Sequence, residues 1–186
     1  AAEAFGLYYF STGEYFRREI REDTLLGREI RGIIEGGNFI ADHLVNRVVF
    51  GVMDGLPDVL LDGYPRNVPQ ALSLDAFLDG QGRRMDLAVF LDVPEAEASE
   101  RLAGRRQCVA CGARASMKDE TCVACGAELV QRSDDDPAVV HRRFLEYHRE
   151  TRPLEEHYQD RLVMVDGLGT VEQVHRRVLK AMESWR

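Results

Sequence analysis

The sequence predicts an α/β fold, and two observations lead to it. Short apolar runs bounded by turn residues, VLLD at 59–62, LAVFLDV at 87–93 and VMVD at 163–166, read as buried strands. Amphipathic stretches lie between them. Strands separated by helices need crossover connections, which build a parallel sheet covered on both faces. Only the segment from about 105 to 136 breaks the alternation. It is polar, with few apolar positions outside its cysteines, and reads as an insertion.

In chain order, AAEAF at 1–5 reads as the last turn of a helix stopped by Gly6, and a short apolar LYYF follows. Ser11 and Glu14 have capping-box spacing, which starts a helix in STGEYFRRE. The next helix places Leu25, Leu26, Ile30, Ile33 and Ile34 on one face and ends at Gly36-Gly37. A third begins at Asp42, bears Leu44, Val45, Val48, Val49, Val52 and Met53, and stops at Gly55. Pro69 and Pro94 sit where first-turn prolines start helices. Pro137 opens a helix through Glu150, and a long amphipathic helix from Thr170 closes the chain.

A chain of 186 residues suits one domain with a small insertion and can bury a proper core. Its 24 basic and 32 acidic groups leave a formal charge of −8, which repels phosphate backbones, so no nucleic-acid partner is expected. No apolar run is long enough to cross a bilayer and no charged-then-apolar leader is present, so a cytoplasmic protein without a membrane partner is expected. A monomer is expected as well. Lys118 and Lys180 are the only lysines, so no arginine is informative by type and position has to decide.

All four cysteines fall in one pattern. Cys108, Cys111, Cys122 and Cys125 form C-x2-C, ten intervening residues, C-x2-C, the spacing of a zinc ribbon. Gly112 and Gly126, directly after each pair, permit the tight bend of such a knuckle. Buried free cysteines and a redox pair are the alternatives. Zinc held by four sulfurs has no open position for water or substrate, so it would be structural. The chemistry must lie elsewhere.

Asp62 ends a strand and is followed by Gly-Tyr-Pro-Arg. The carboxyl end of a strand in an open α/β sheet faces the ligand crevice, where an acid can hold hydrated magnesium and Arg66 can reach an anion. Asp-Gly is also common turn punctuation, so a plain strand-to-loop turn is the other reading.

STGEYFR at 11–17, EGGNFIAD at 35–42, LLDGYPRNVPQA at 60–71, RLAGRR at 101–106, QRSDDD at 131–136 and VDG at 165–167 occur in the order and rough spacing of adenylate kinases. Across essentially its whole length the chain resembles the bacterial long form with a zinc-bearing lid. That resemblance implies a three-layer P-loop kinase-like fold: a nucleoside monophosphate kinase core over 1–186, an AMP-binding helical region over 11–40, and a lid over 105–136. It implies transfer of a phosphoryl group between ATP and AMP to give two ADP, with magnesium on ATP.

The resemblance also assigns residues. Thr12, Arg17, Asn38, Phe39, Ile40, Gly63, Tyr64, Pro65, Arg66 and Gln70 match positions that hold AMP. The amide of Gln70 suits an adenine edge, since it can pair with both a donor and an acceptor. Arg101 matches the residue on the ATP adenine, Arg105 one that reaches its phosphates, and Gly169 the backbone at the ATP base. Arg132 and Arg143 match the pair that clamps the transferring group and also count toward AMP. Asp62, Arg66, Arg105, Arg132 and Arg143 are thus the expected catalytic set. Phosphoryl transfer asks for charge neutralisation and alignment, which suits several converging arginines. The lid would close over ATP, exclude water and hinge near Gly104 and Asp136-Pro137.

The chain departs from this family in two places. The loop between the knuckles is short, and Ala115, with Arg114 before it, stands where an aromatic usually meets ATP. No G-x-x-x-x-G-K-[ST] loop, the family's cradle for ATP phosphates, occurs in the 186 residues. The expectation is therefore a fragment, inactive until a first strand and that loop are restored, with the strand belonging between VLLD and VMVD. A kinase for another nucleoside monophosphate and a non-catalytic zinc-ribbon binding module are the alternatives.

Overall fold

The structure is a computed structural model that describes residues 1–35, 38, 40–132 and 135–184. Its elements are α1 (Ala2–Phe5), β1 (Tyr8–Ser11), α2 (Thr12–Arg21), α3 (Leu25–Glu35), α4 (Asp42–Met53), β2 (Val59–Asp62), α5 (Val68–Asp79), β3 (Ala88–Asp92) and α6 (Glu95–Ala103). There follow β4 (Arg105–Cys108), β5 (Arg114–Ser116), β6 (Leu129–Val130), α7 (Pro137–Glu146), α8 (Leu154–His157), β7 (Leu162–Asp166) and α9 (Val171–Glu183). The chain divides into two compact units, one of residues 1–15, 40–93 and 147–186, the other of residues 16–39 and 94–146. No helix among the described residues is long and apolar enough to cross a membrane.

The first unit holds all four parallel strands. LYYF, read only as an apolar run, becomes most of β1, which pairs with β2 from Tyr8↔Val59 to Ser11↔Asp62. β3 pairs with β7 from Ala88↔Leu162 to Asp92↔Asp166. The expected parallel strands thus form two ladders of two strands each. Among the described residues β2 bonds only β1 and β7 only β3, which leaves Val59, Leu60 and Leu61 half-buried and not sealed.

Helix spacing builds the core of this unit. Val45, Val49 and Met53 recur every four residues, so they share one face of α4 and are buried. Phe50 of α4 stacks on Phe77 of α5 at 4.4 Å between ring centroids. Ala71, Leu154 and Tyr158 form a buried cluster that Val68, Met85, Ala88 and Phe90 pack against, tying α5 and α8 to β3. The start of α5 is capped by Asn67, whose Oδ1 accepts from the Gln70 N–H at 2.8 Å, with Pro69 in the first turn as expected. Thr170 and Gln173 cap α9 reciprocally.

In the second unit α2 and α3 cross in backbone contact. A Cβ on Gly27 would lie 2.1 Å from the Glu19 carbonyl oxygen, so only glycine fits there. β5, β4 and β6 form an antiparallel sheet in that order over the insertion. Pro94 caps α6 and is not in its first turn as expected. The helix expected through Glu150 ends as an α-helix at Glu146. Tyr147–Thr151 winds one residue wider, with the Arg152 N–H donating to the Tyr147 carbonyl at 2.9 Å. Pro153, which has no N–H to offer, follows directly.

Candidate functional site

The register of β1 against β2 places Ser11 opposite Asp62, so the residues that leave the two strands, Thr12 and Gly63, meet. Thr12, 3 % exposed, donates through Oγ1 to the Gly63 carbonyl at 3.0 Å. Arg66 Nε donates to the same carbonyl at 2.9 Å. Gly63 has φ 75°, and a Cβ there would meet Arg66 Nη2 at 3.2 Å and Thr12 Oγ1 at 3.3 Å. The loop is therefore folded tightly around a residue that must lack a side chain. Tyr64 and Pro65 are joined by a cis peptide. The Arg66 carbonyl accepts from Thr151 Oγ1 at 2.7 Å, so the wide turn after α7 has a visible use in fixing this loop.

Asp62 sits at the mouth of β2 with its carboxylate reached by Tyr9, whose O–H donates to Oδ2 at 2.7 Å. Burial, and then the hydrogen bond to Asp62, push the Tyr9 phenol up to about 12, so it remains a donor at neutral pH. Sequence reasoning missed Tyr9 because LYYF was read only as apolar. Oδ1 of Asp62 is left as a hard anionic oxygen of the kind hydrated magnesium takes.

Gln70 is 1 % exposed and bonded at both ends of its carboxamide. Nε2 donates to Asp42 Oδ1 at 2.7 Å, and Oε1 accepts from the Arg66 N–H at 2.8 Å. Asp42 also accepts from Asn67 Nδ2 at 3.0 and 3.2 Å. Tyr64 donates to Asn46 Oδ1 at 2.7 Å, and burial, then the charges of Asp42 and Asp75, raise its pKa. Ile40 is buried nearby in sequence at the entry to α4. Gly169 has φ 99°, and a Cβ there would lie 2.3 Å from Gln173 Oε1, within the cap of α9.

The remaining expected residues belong to the second unit. Arg17 is half-buried on α2, and the Asn38 N–H donates to the Ile33 carbonyl at 3.0 Å. Phe39 lies outside the described residues. Arg101 donates to Glu97 Oε1 at 2.7 Å along α6. Arg114 and Ala115 are on β5, opposite Gln107 and Arg106.

Arg105 and Arg143 converge on one acid. Arg105 donates through Nε and Nη2 to the two oxygens of Asp135 at 2.8 and 2.5 Å. Arg143 Nη1 stands 3.9 Å from Oδ1, and the Asp135 side chain is fully buried. Arg132, 9 % exposed, accepts the Asp135 N–H on its carbonyl at 3.1 Å. The guanidinium groups of two expected phosphate-binding arginines, Arg105 and Arg143, thus face Asp135, and the backbone of a third, Arg132, is bonded to it; sequence reasoning missed this acid. The signal was the acidic run beside Arg132, from which no single carboxylate stands out.

The four cysteine Sγ atoms lie within 4.8 Å of one another. Cys108 to Cys125 is 3.4 Å, and Cys111 is 3.6 Å from both Cys122 and Cys125. Four sulfurs around zinc stand about 3.8 Å apart, given Zn–S bonds of about 2.3 Å. The two knuckles fold alike: Cys108 N–H bonds the Ala113 carbonyl and Cys122 N–H the Ala127 carbonyl, both at 2.9 Å, and Gly112 and Gly126 have φ 75° and 74°. Backbone N–H groups, that of Cys111 foremost, bring the Cys108 thiol down to about 6. The Ala127 N–H lowers Cys125 too, yet the hydrogen bonds it shares with Cys108 and Cys111 carry it up to about 12.

The adenylate kinase family profile matches residues 1–163. Adenylate kinase of Caldanaerobacter subterraneus is 36 % identical over 192 aligned residues, spanning 97 % of this chain and 87 % of that protein. Adenylate kinase of Anaeromyxobacter dehalogenans is 38 % identical over 91 % of this chain and 84 % of its own length. Adenylate kinase of Pyrococcus furiosus is 36 % identical over 95 % and 84 %.

Proposed function

The chain belongs to the adenylate kinase family, and from that premise we propose how its own residues divide the reversible conversion of ATP and AMP to two ADP. The observation that supports the reading most is the tight loop at the ends of β1 and β2, where Thr12, Gly63 and Arg66 are bonded together and Gln70 is held beside the Arg66 N–H. Arg66 and Arg17 take the AMP phosphate, Thr12 and the backbone around Asn38 and Ile40 hold the nucleoside, and Gln70 reads the base. A guanidinium presents paired N–H donors to a phosphate, which suits Arg66 to orient the accepting oxygen.

On the second unit, Arg105, Arg132 and Arg143 neutralise the phosphates in transfer, Arg101 meets the ATP base, and Arg114 and Ala115 line the lid side; on the first, the Gly169 backbone is assigned to ATP as well. Zinc is held by Cys108, Cys111, Cys122 and Cys125, the set that fits it, and supplies only shape. Asp62 would hold the hydrated magnesium that accompanies ATP. Its Oδ2 is fixed by Tyr9, which leaves Oδ1 to accept from metal-bound water.

The test is a thermal melt of the zinc-loaded chain with a dinucleotide that joins an ATP-like and an AMP-like half. A ligand bound only by the folded state stabilises it by about 2.7 kcal/mol at a hundredfold excess over Kd. A concentration-dependent rise in unfolding temperature supports the reading. An unchanged melt at saturating ligand ends it.

A further inference from the structure

We infer that Asp42 sets the base specificity of the AMP site by locking the orientation of the Gln70 carboxamide. The proposal rests on the reading that Gln70 faces the base, and it adds a residue that nothing in the motif pattern assigns to that task.

A glutamine amide reads a purine edge with one oxygen and one nitrogen, and turning it by half a rotation exchanges them. Adenine offers a donor at N6 and an acceptor at N1. Hypoxanthine and guanine offer the reverse, an acceptor at O6 and a donor at N1. A freely turning glutamine serves either kind of base. A fixed one serves only the base whose donor and acceptor match it.

Two partners fix Gln70. Asp42 is acceptor-only when ionised, so the group 2.7 Å from its Oδ1 must be Nε2. The Arg66 backbone can only donate, so the group 2.8 Å from it must be Oε1. In the turned amide both contacts become unfavourable: oxygen faces the carboxylate and N–H faces N–H. Each amide atom retains one bonding position, a second hydrogen on Nε2 and a second lone pair on Oε1. Together these match N1 and the N6 amino group of adenine. Gln70 is 1 % exposed, so its orientation is set before any base displaces what covers it, and the ligand does not bear the ordering cost. Asp42 is itself held, since Asn67 Nδ2 donates to both its oxygens. Asp42 acts through Gln70 and is a positioning residue.

Calorimetric titration of the zinc-loaded chain with AMP and with IMP tests this, because the two nucleotides differ only at the edge in question. The unaltered chain prefers AMP. Asp42→Asn keeps the shape but gives position 42 a donor as well as an acceptor, and Asp42→Ala removes the partner, so in each the AMP-to-IMP affinity ratio falls about tenfold. Val49→Ala, on the buried face of α4, leaves Asp42, Asn67 and Gln70 in place, so it loses stability and keeps the ratio. That control separates orientation from general loosening, which weakens both ligands alike. If both Asp42 variants keep the unaltered ratio while Gln70→Ala collapses it, the lock is wrong and the base reading stands. If Gln70→Ala also keeps the ratio, the base reading fails and the lock falls with it.

Discussion

Asp135 is the residue on which the arginine cluster turns. Its side chain is fully buried, bonded twice to Arg105 and within 3.9 Å of Arg143. A buried carboxylate costs solvation unless cations surround it, and here the cations are the ones proposed to hold phosphate. Asp135→Asn leaves Arg105 without its counterion. The loss for a sealed pair is about 3–5 kcal/mol, and with 24 % of the Arg105 side chain exposed it drops to about 2 kcal/mol. Urea denaturation of the zinc-loaded protein should show that drop, and an unchanged midpoint would mean the contact contributes nothing. None of this was legible in the run of acids at 134–136, because sequence cannot say which carboxylate turns inward. Gln70 was legible by type, but not its bond to Asp42, 28 residues away.

Among the elements, glycine stops, caps and apolar spacing marked most helices correctly, because those signals act within a turn or two. Gly6 in the left-handed region, Ser11 accepting the Glu14 N–H at the start of α2, Pro69 in the first turn of α5 and the Val45, Val49, Met53 face all follow from local chemistry. The widened turn at Tyr147–Thr151 was not legible. A hydrogen bond from Thr151 to a carbonyl 85 residues away accompanies it. Gly27 gives a sharp test at this scale, since alanine would press its Cβ into the α2 backbone at Glu19. Gly27→Ala should cost about 3 kcal/mol, despite alanine's better helix propensity, measured by chemical denaturation. A stabilised variant would show that α2 and α3 do not cross so closely.

The ribbon makes a separate prediction. Purified without chelator, the protein should contain about one zinc per chain, because four thiolates leave no vacancy for a second ligand set. Chelation or Cys108→Ser should melt the ribbon's antiparallel sheet and lower the unfolding temperature. Affinity for zinc should fall as pH falls, since protons compete for the same sulfurs. Metal-free protein with an unchanged melt would remove zinc from the account.

At the scale of the whole molecule, the α/β class and the family motifs were legible because phosphate and base chemistry demand particular residues at strand ends and helix starts. The pairing of β1 with β2 was not, because apolar runs report burial and not partners. The central claim is that the loop after β2 takes AMP. The most direct measurement is calorimetric titration of AMP and CMP into the zinc-loaded chain and its Arg66→Ala variant. A single site that favours AMP over CMP, weakened about 30-fold in the variant by loss of charge-assisted bonds to phosphate, is the predicted result. No AMP binding, equal affinity for CMP, or an Arg66→Ala chain that binds AMP as tightly as the unaltered one would contradict it.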